Sequence, residues 1–208
     1  TLAMTGRPVK VTLPGPMTIV DSLVDTVGGR SEAALAMRFA ELLNLEARAL
    51  ADAGAAVIQF DEPCFNVYVD KVQDWGIAAL ERAAQGVTAT TAVHICYGYG
   101  TADVKRWKNA NSDWSHYAHT LPLLAKSSID QVSVETAASG VDVAVIEALR
   151  GKDVLLGVVD VGSETVESAE TVAERLHQAL RYTDPGHLYA CTDCGMLPLS
   201  RRAAEGKL

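Results

Sequence analysis

Two periods of apolar residues alternate along this chain, and the points where one gives way to the other set its elements. Short runs dense in β-formers recur near residues 9, 55, 90, 131, 153 and 187, separated by stretches whose apolar positions return every three or four residues. Val9–Leu13 predicts a strand ending at the Pro14-Gly15-Pro16 turn. A helix over Met17–Val27 follows and is stopped by Gly28-Gly29. Ser31 is placed to cap the long Ala/Leu/Glu-rich helix that runs to Ala53, which Gly54 closes. Ala55–Phe60 predicts the second strand, leading into Asp61-Glu62-Pro63, and Trp75–Ala84 the next helix. Val87–Tyr97 predicts the third strand, with a polar loop beginning at Gly98-Tyr99-Gly100. The remaining expectations are a helix over Trp114–Ala125 despite Pro122, a strand ending at Glu135, and a short helix over Val141–Leu149. A strand Asp153–Asp160, a helix Val166–Tyr182 and a last strand His187–Cys191 complete the pattern.

Strict alternation of strand and helix predicts an α/β fold with parallel strands and right-handed crossovers. No Gly-x-Gly-x-x-Gly turn follows any of the strands, so a dinucleotide fold lacks its best marker. The architecture expected instead is an incomplete (β/α)8 barrel of six units, with the first two missing from the 208 residues. No linker composition divides it, so residues 1–208 are expected to form one catalytic barrel domain. Thr1 in place of a methionine, with a strand starting almost at once, suggests a chain cut from something longer.

Composition narrows the partners. Apolar residues make up 49%, enough for a sizeable core, and the net charge is −8. Such a surface repels phosphate backbones and anionic lipids, which excludes nucleic-acid and membrane-surface partners from the expected set. No apolar run approaches the ~20 residues a membrane span requires, and no signal peptide opens the chain. Four cysteines in an acidic chain without an export signal read as reduced thiols, and the compartment expected is the cytoplasm.

The candidate chemistry collects at strand ends. On a strand, His94 and Cys96 would project to one face, a borderline nitrogen beside a soft sulfur. Glu135 closes another apolar run, where a buried carboxylate calls for a cation or hydrogen-bond donors. Cys191 and Cys194 offer a further thiolate after the last strand. Together these make four ligands for tetrahedral zinc. The plainer alternatives are core packing for His94 and Cys96, a structural ion pair for Glu135, and a redox pair for Cys191 and Cys194. Asp61 and Glu62 could bind an amino group or act as general base, or else serve as a helix-capping turn. Cys64 reads as a small buried residue. Asp160 is a further polar anchor at the same rim. His116 and His119 read as an exposed polar face, His177 and His187 as surface or cap residues, and Trp75, Trp107 and Trp114 as packing.

Leu13-Pro-Gly-Pro16, Ile58-Gln-Phe-Asp-Glu-Pro63, His94-Ile-Cys-Tyr97, Val134-Glu-Thr136 and Thr192-Asp-Cys-Gly195 resemble, in order, the motifs of the catalytic domain of cobalamin-independent methionine synthases. The resemblance implies a (β/α)8 barrel in which His94, Cys96, Glu135 and Cys194 bind zinc, leaving Cys191 out. It implies that Asp61 holds the amino group of homocysteine, with Glu62 and Glu135 beside the substrate and Asp160 at the catalytic rim. The methyl group would come from 5-methyltetrahydrofolate. Two positions depart from the family pattern: Ser22 stands where a tryptophan stacks on the folate, and Gly162 where a histidine protonates the leaving folate nitrogen. Both departures favour a methylated corrinoid as alternative donor, as in short single-domain core forms. A non-catalytic zinc-binding or corrinoid-docking module is the rival from another class. A uroporphyrinogen-decarboxylase-like enzyme is the rival within the fold, and would leave His94 and Cys194 unexplained.

Overall fold

The structure, a computed structural model, describes residues 5–98, 106, 110 and 113–208. The polar loop expected from Gly98 onward runs into residues outside that set, and Trp107 lies outside it as well. Six strands, β1 (Lys10–Pro14), β2 (Val57–Asp61), β3 (Thr90–Ile95), β4 (Gln131–Glu135), β5 (Asp153–Val159) and β6 (Leu188–Thr192), form one sheet in that order. β1 pairs parallel with β2, β2 with β3, and β5 with β6. All five residues of β4 and six of the seven in β5 are buried, as parallel strands covered on both faces should be. β1, at one end of the order, alternates instead between exposed and half-buried positions. Among the described residues no helix is long and apolar enough to cross a membrane.

The packing divides the chain into two units, Thr1–Ile95 with Lys126–Val132, and Cys96–Ala125 with Ser133–Leu208. In the first, α1 (Pro16–Asp21), α2 (Glu32–Asp52) and α3 (Ile77–Ala84) accompany β1 to β3. Ser31 caps α2 as expected, its side chain accepting from the Ala34 N–H. Ala36, Ala40 and Ala47 on α2 and Ala79 and Ala83 on α3 are buried. These small side chains let the two helices approach closely, and Asn44 Nδ2 donates to the carbonyls of Ala83 and Gln85 at the end of α3. α1 stops six residues short of the expected Val27. Leu23, Val24 and Val27 are exposed and offer no face to bury, and Asp25 Oδ1 accepts from the N–H groups of Val27 and Gly28, a local turn that competes with helix. Trp75 sits in a widened π-helical turn, Val72–Gly76, ahead of α3.

In the second unit, α4 (His116–Ala125) keeps Pro122 within it, and α5 (Ala169–Ala179) starts at a Ser168 cap. The helix expected over Val141–Leu149 is 3-10, Val143–Leu149, capped by Asp142. α6 (Arg201–Lys207) was not expected: only Ala203 is buried, too few apolar positions to print a period. It is held by its Ser200 cap and an Arg201–Glu205 pair.

Candidate metal centre

β3 ends at Ile95, two residues before the expected Tyr97, because the Tyr97 N–H donates 3.1 Å to Glu135 Oε2 rather than to a neighbouring strand. His94 is therefore on the strand, and Cys96 on the first residue beyond it. The Sγ atoms of Cys96 and Cys194 lie 3.8 Å apart. His94, Cys96 and Cys194 present ligand atoms all within 4.8 Å of one another, the group of this kind found among the described residues. A tetrahedral zinc with sulfur bonds of about 2.3 Å sets two sulfurs about 3.8 Å apart. The observed separation matches that chord, and no disulfide joins the two cysteines. The contact with Cys194, and then burial, hold the Cys96 thiol well above its ordinary range. A cation is what would reverse this. By donor chemistry and spacing the residues fit zinc.

Glu135 stands beside this cluster and is wholly buried. Its backbone N–H donates to the Tyr117 hydroxyl at 2.9 Å, and its carboxylate is near enough to Cys96 to contribute to the rise of that thiol. Tyr97 packs edge-on against Trp114 and Tyr117, with ring centroids 4.8 and 5.1 Å away, so the Trp114 expectation of packing holds. Cys191 is half-buried and outside the cluster. The residue the sequence reading passed over is Asp193. It is wholly buried, and its Oδ1 accepts from the N–H groups of Thr136 and Ala137 and its Oδ2 from Ala138. Burial pushes its carboxyl up to about 7, with the charge of Glu135 adding to the rise. Its only sequence signal was its place inside Thr192-Asp-Cys-Gly195.

The paired carboxylates after β2 have different surroundings. Asp61 is half-buried and accepts from Gln59 Nε2 at 2.8 Å, Gln59 in turn taking Lys10 Nζ at 3.0 Å. Glu62 is wholly buried and turned to the start of α1, where it accepts from the Met17 and Thr18 N–H groups and the Thr18 hydroxyl at 2.7–2.9 Å. Of the two readings open for it, these contacts are those of the capping turn. Gly15 is required there, since a Cβ would lie 2.1 Å from Glu62 Cδ. Cys64 is buried, as expected. Asp160, half-buried beyond β5, accepts from the Gly162 N–H at 2.6 Å and donates its own N–H to Glu167. His119 and His177 are exposed, His116 is half-buried, and the exposed His187 meets Asp153 at 2.8 Å.

Burial pushes Glu62 up to about 7 from an ordinary 4.5, its three donors pulling the other way. The folded protein therefore holds this proton more tightly than the unfolded chain. The associated stability is complete below about pH 4.5 and is lost as pH rises through about 7. The expected loss is about 3 kcal/mol. Urea midpoints at about pH 5 and about pH 8 should show the parent losing that much relative to Glu62→Gln. Parallel profiles for the two proteins would show Glu62 ionised throughout.

A profile of the family described as the cobalamin-independent synthase catalytic domain matches residues 1–208. A methionine synthase from Saccharolobus islandicus is 31% identical over 203 residues, covering 96% of this chain and 55% of that one. One from Sulfurisphaera tokodaii is 28% identical, covering 96% and 53%. The chain thus spans about half the length of the curated relatives it matches. Among solved structures, the B12-independent methionine synthase from a Shewanella species, in complex with selenomethionine, is 48% identical with a TM-score of 0.94, covering 99% of this chain and 60% of that one. A methyltransferase from Methanosarcina mazei, 18% identical with a TM-score of 0.69, shares the fold. The expected fold class is borne out: the six parallel strands and their helices correspond to part of a (β/α)8-barrel synthase domain.

Proposed function

The chain belongs to the cobalamin-independent synthase catalytic-domain family, and from that premise we propose that it carries the zinc centre of a homocysteine S-methyltransferase forming methionine. The observation that carries the reading is the convergence of His94, Cys96 and Cys194 within 4.8 Å. We read residues 1–208 as catalytic-domain sequence, since the family profile runs through both units. His94, Cys96 and Cys194 would hold the ion, with Glu135 as the fourth ligand. Zinc bound there supplies a Lewis acid that keeps a thiol deprotonated and nucleophilic at neutral pH.

The chain's own residues do the rest. Asp61 holds the homocysteine ammonium, its carboxylate oriented by Gln59. Glu62 contributes by fixing the turn into α1, and the Gly15 N–H in that turn donates 2.8 Å to the Asp61 carbonyl. Asp160 marks the rim beyond β5 and is stiffened by the Gly162 N–H. In the transfer, the acceptor sulfur gains the methyl group as the donor's nitrogen–carbon bond breaks, and the released amine takes a proton. The thiol proton leaves earlier, when the acceptor binds. In-line alignment of donor and sulfur is the main demand on the site.

The donor supported best is a methylated tetrahydrofolate. The family is described as cobalamin-independent and the Shewanella protein as B12-independent, which removes support from the corrinoid alternative. The selenomethionine in the Shewanella complex is an analogue of the proposed product. The test is methionine formation by the zinc-loaded protein from homocysteine with methyl-tetrahydrofolate or methylcobalamin as donor. Turnover with the folate is expected. Turnover with methylcobalamin alone would overturn the donor assignment, and one zinc per chain without transfer from either would favour the non-catalytic module.

A further inference from the structure

We propose that Asp193 is a positioning residue for the metal centre, gathering the turn after β4 so that Glu135 and Cys194 are held in one frame. The inference rests on the metal-centre reading above. Oδ1 accepts from Thr136 and Ala137 N–H at 3.0 Å each and Oδ2 from Ala138 N–H at 2.7 Å, so three consecutive amides converge on one carboxylate. The first of them belongs to the residue after Glu135. Asp193's own N–H donates 2.9 Å to the Val159 carbonyl. One residue thereby ties together the ends of β4, β5 and β6. Cys194 is the next residue, and the Thr192 hydroxyl donates 2.7 Å to its carbonyl, so the backbone on both sides of Asp193 is pinned.

The surroundings are shaped for this side chain. A Cβ on Gly157 would fall 2.3 Å from Asp193 Oδ1, so the strand leaves the space a carboxylate needs. The Thr136 hydroxyl donates 2.8 Å to the Gly157 carbonyl, closing the same turn from the other side. Glu135, the last residue of β4, and Cys194, two residues past β6, are 59 positions apart in the sequence. A metal site tolerates only about 0.5 Å of misplacement between its donors. A rigid link between the two backbones is therefore the means by which a carboxylate and a thiolate from separate strand ends meet one ion. Groups that act this way on a metal site typically change its affinity by about 10–100-fold when replaced.

The test compares parent and Asp193→Asn in zinc affinity, by competition with a chromophoric chelator, and in the absorption of the cobalt(II) complex. The variant keeps the volume but turns an amide N–H toward the Ala138 donor. The expected result is zinc binding weakened by about 10–100-fold, with thiolate charge-transfer bands retained and the tetrahedral d–d bands altered. The metal-free circular dichroism should stay parental. Parental affinity and cobalt spectrum in a folded Asp193→Asn would overturn the role. A parent that takes up no zinc would overturn the metal centre, and this inference with it. Should Asp193→Asn fail to fold, Asp193→Ser, whose single short acceptor cannot serve all three amides of Thr136, Ala137 and Ala138, is the deciding variant. Its zinc binding is expected to weaken several-fold, and parental binding would overturn the role.

Discussion

Cys96→Ser and Cys194→Ser are each expected to take the zinc content from about one ion per chain to near zero. Serine keeps the shape of cysteine, but its hydroxyl is a hard donor that does not ionise at neutral pH, whereas a thiol coordinates as thiolate. The two sulfurs are 3.8 Å apart, so removing either leaves the other with His94 and, in the proposed ligand set, the Glu135 carboxylate. Three donors of mixed type give a much weaker site than four that include two thiolates. Methyl transfer should fall roughly 10³-fold or more, since a metal's contribution to such chemistry is several kcal/mol and each 1.36 kcal/mol is tenfold in rate. Metal analysis beside the parent reads the first effect and methionine formation the second. A Cys96→Ser protein that retains one zinc would remove Cys96 from the ligand set. Metal-free stability should change little, because a thiol and a hydroxyl occupy nearly the same volume.

Gly157→Ala is expected to be the most damaging single methyl addition in the second unit. The new Cβ would sit 2.3 Å from Asp193 Oδ1, 2.9 Å from Asp193 Cα and 2.9 Å from the Val134 carbonyl oxygen. Two of these neighbours are backbone and cannot rotate away. The strand must shift in register or bend, at a cost of about 3 kcal/mol. For a chain of this length that lowers Tm by roughly 6–12 °C. Thermal melts of the metal-free variant and parent measure it. Gly186→Ala, where a Cβ meets nothing within 4 Å, is the matched control and should melt like the parent. Equal melting of Gly157→Ala would show that the strand absorbs the methyl without strain. The same clash displaces Asp193, so any protein that still folds should also bind zinc more weakly.

The boundaries that the sequence missed share one cause. β3 reads as continuing to Tyr97 because Cys96 and Tyr97 are good strand formers, but a carboxylate from β4 captures the Tyr97 amide. α1 reads as continuing to Val27, yet the apolar residues past Asp21 have nothing to cover them. Glu62 reads equally well as a substrate ligand or a cap until the start of α1 is seen against it. Asp193 carries no mark of its role, because three backbone amides leave no trace in the identity of Thr136, Ala137 or Ala138.

By itself the sequence determined the number of strands and their alternation with helices. Hydrophobic periodicity is a local property, recorded residue by residue in the chain that must bury it. It also determined the chemical type of the candidate ligands, since a thiol, imidazole or carboxylate keeps its affinities wherever it lies. Only the tertiary structure decided that the sulfurs of residues 96 and 194 stand 3.8 Å apart, that Glu62 turns to a helix start, and that Asp193 joins three strand ends. Those outcomes are distances between segments remote in the chain. They are set by how the strands pair and pack, and no single segment contains the information.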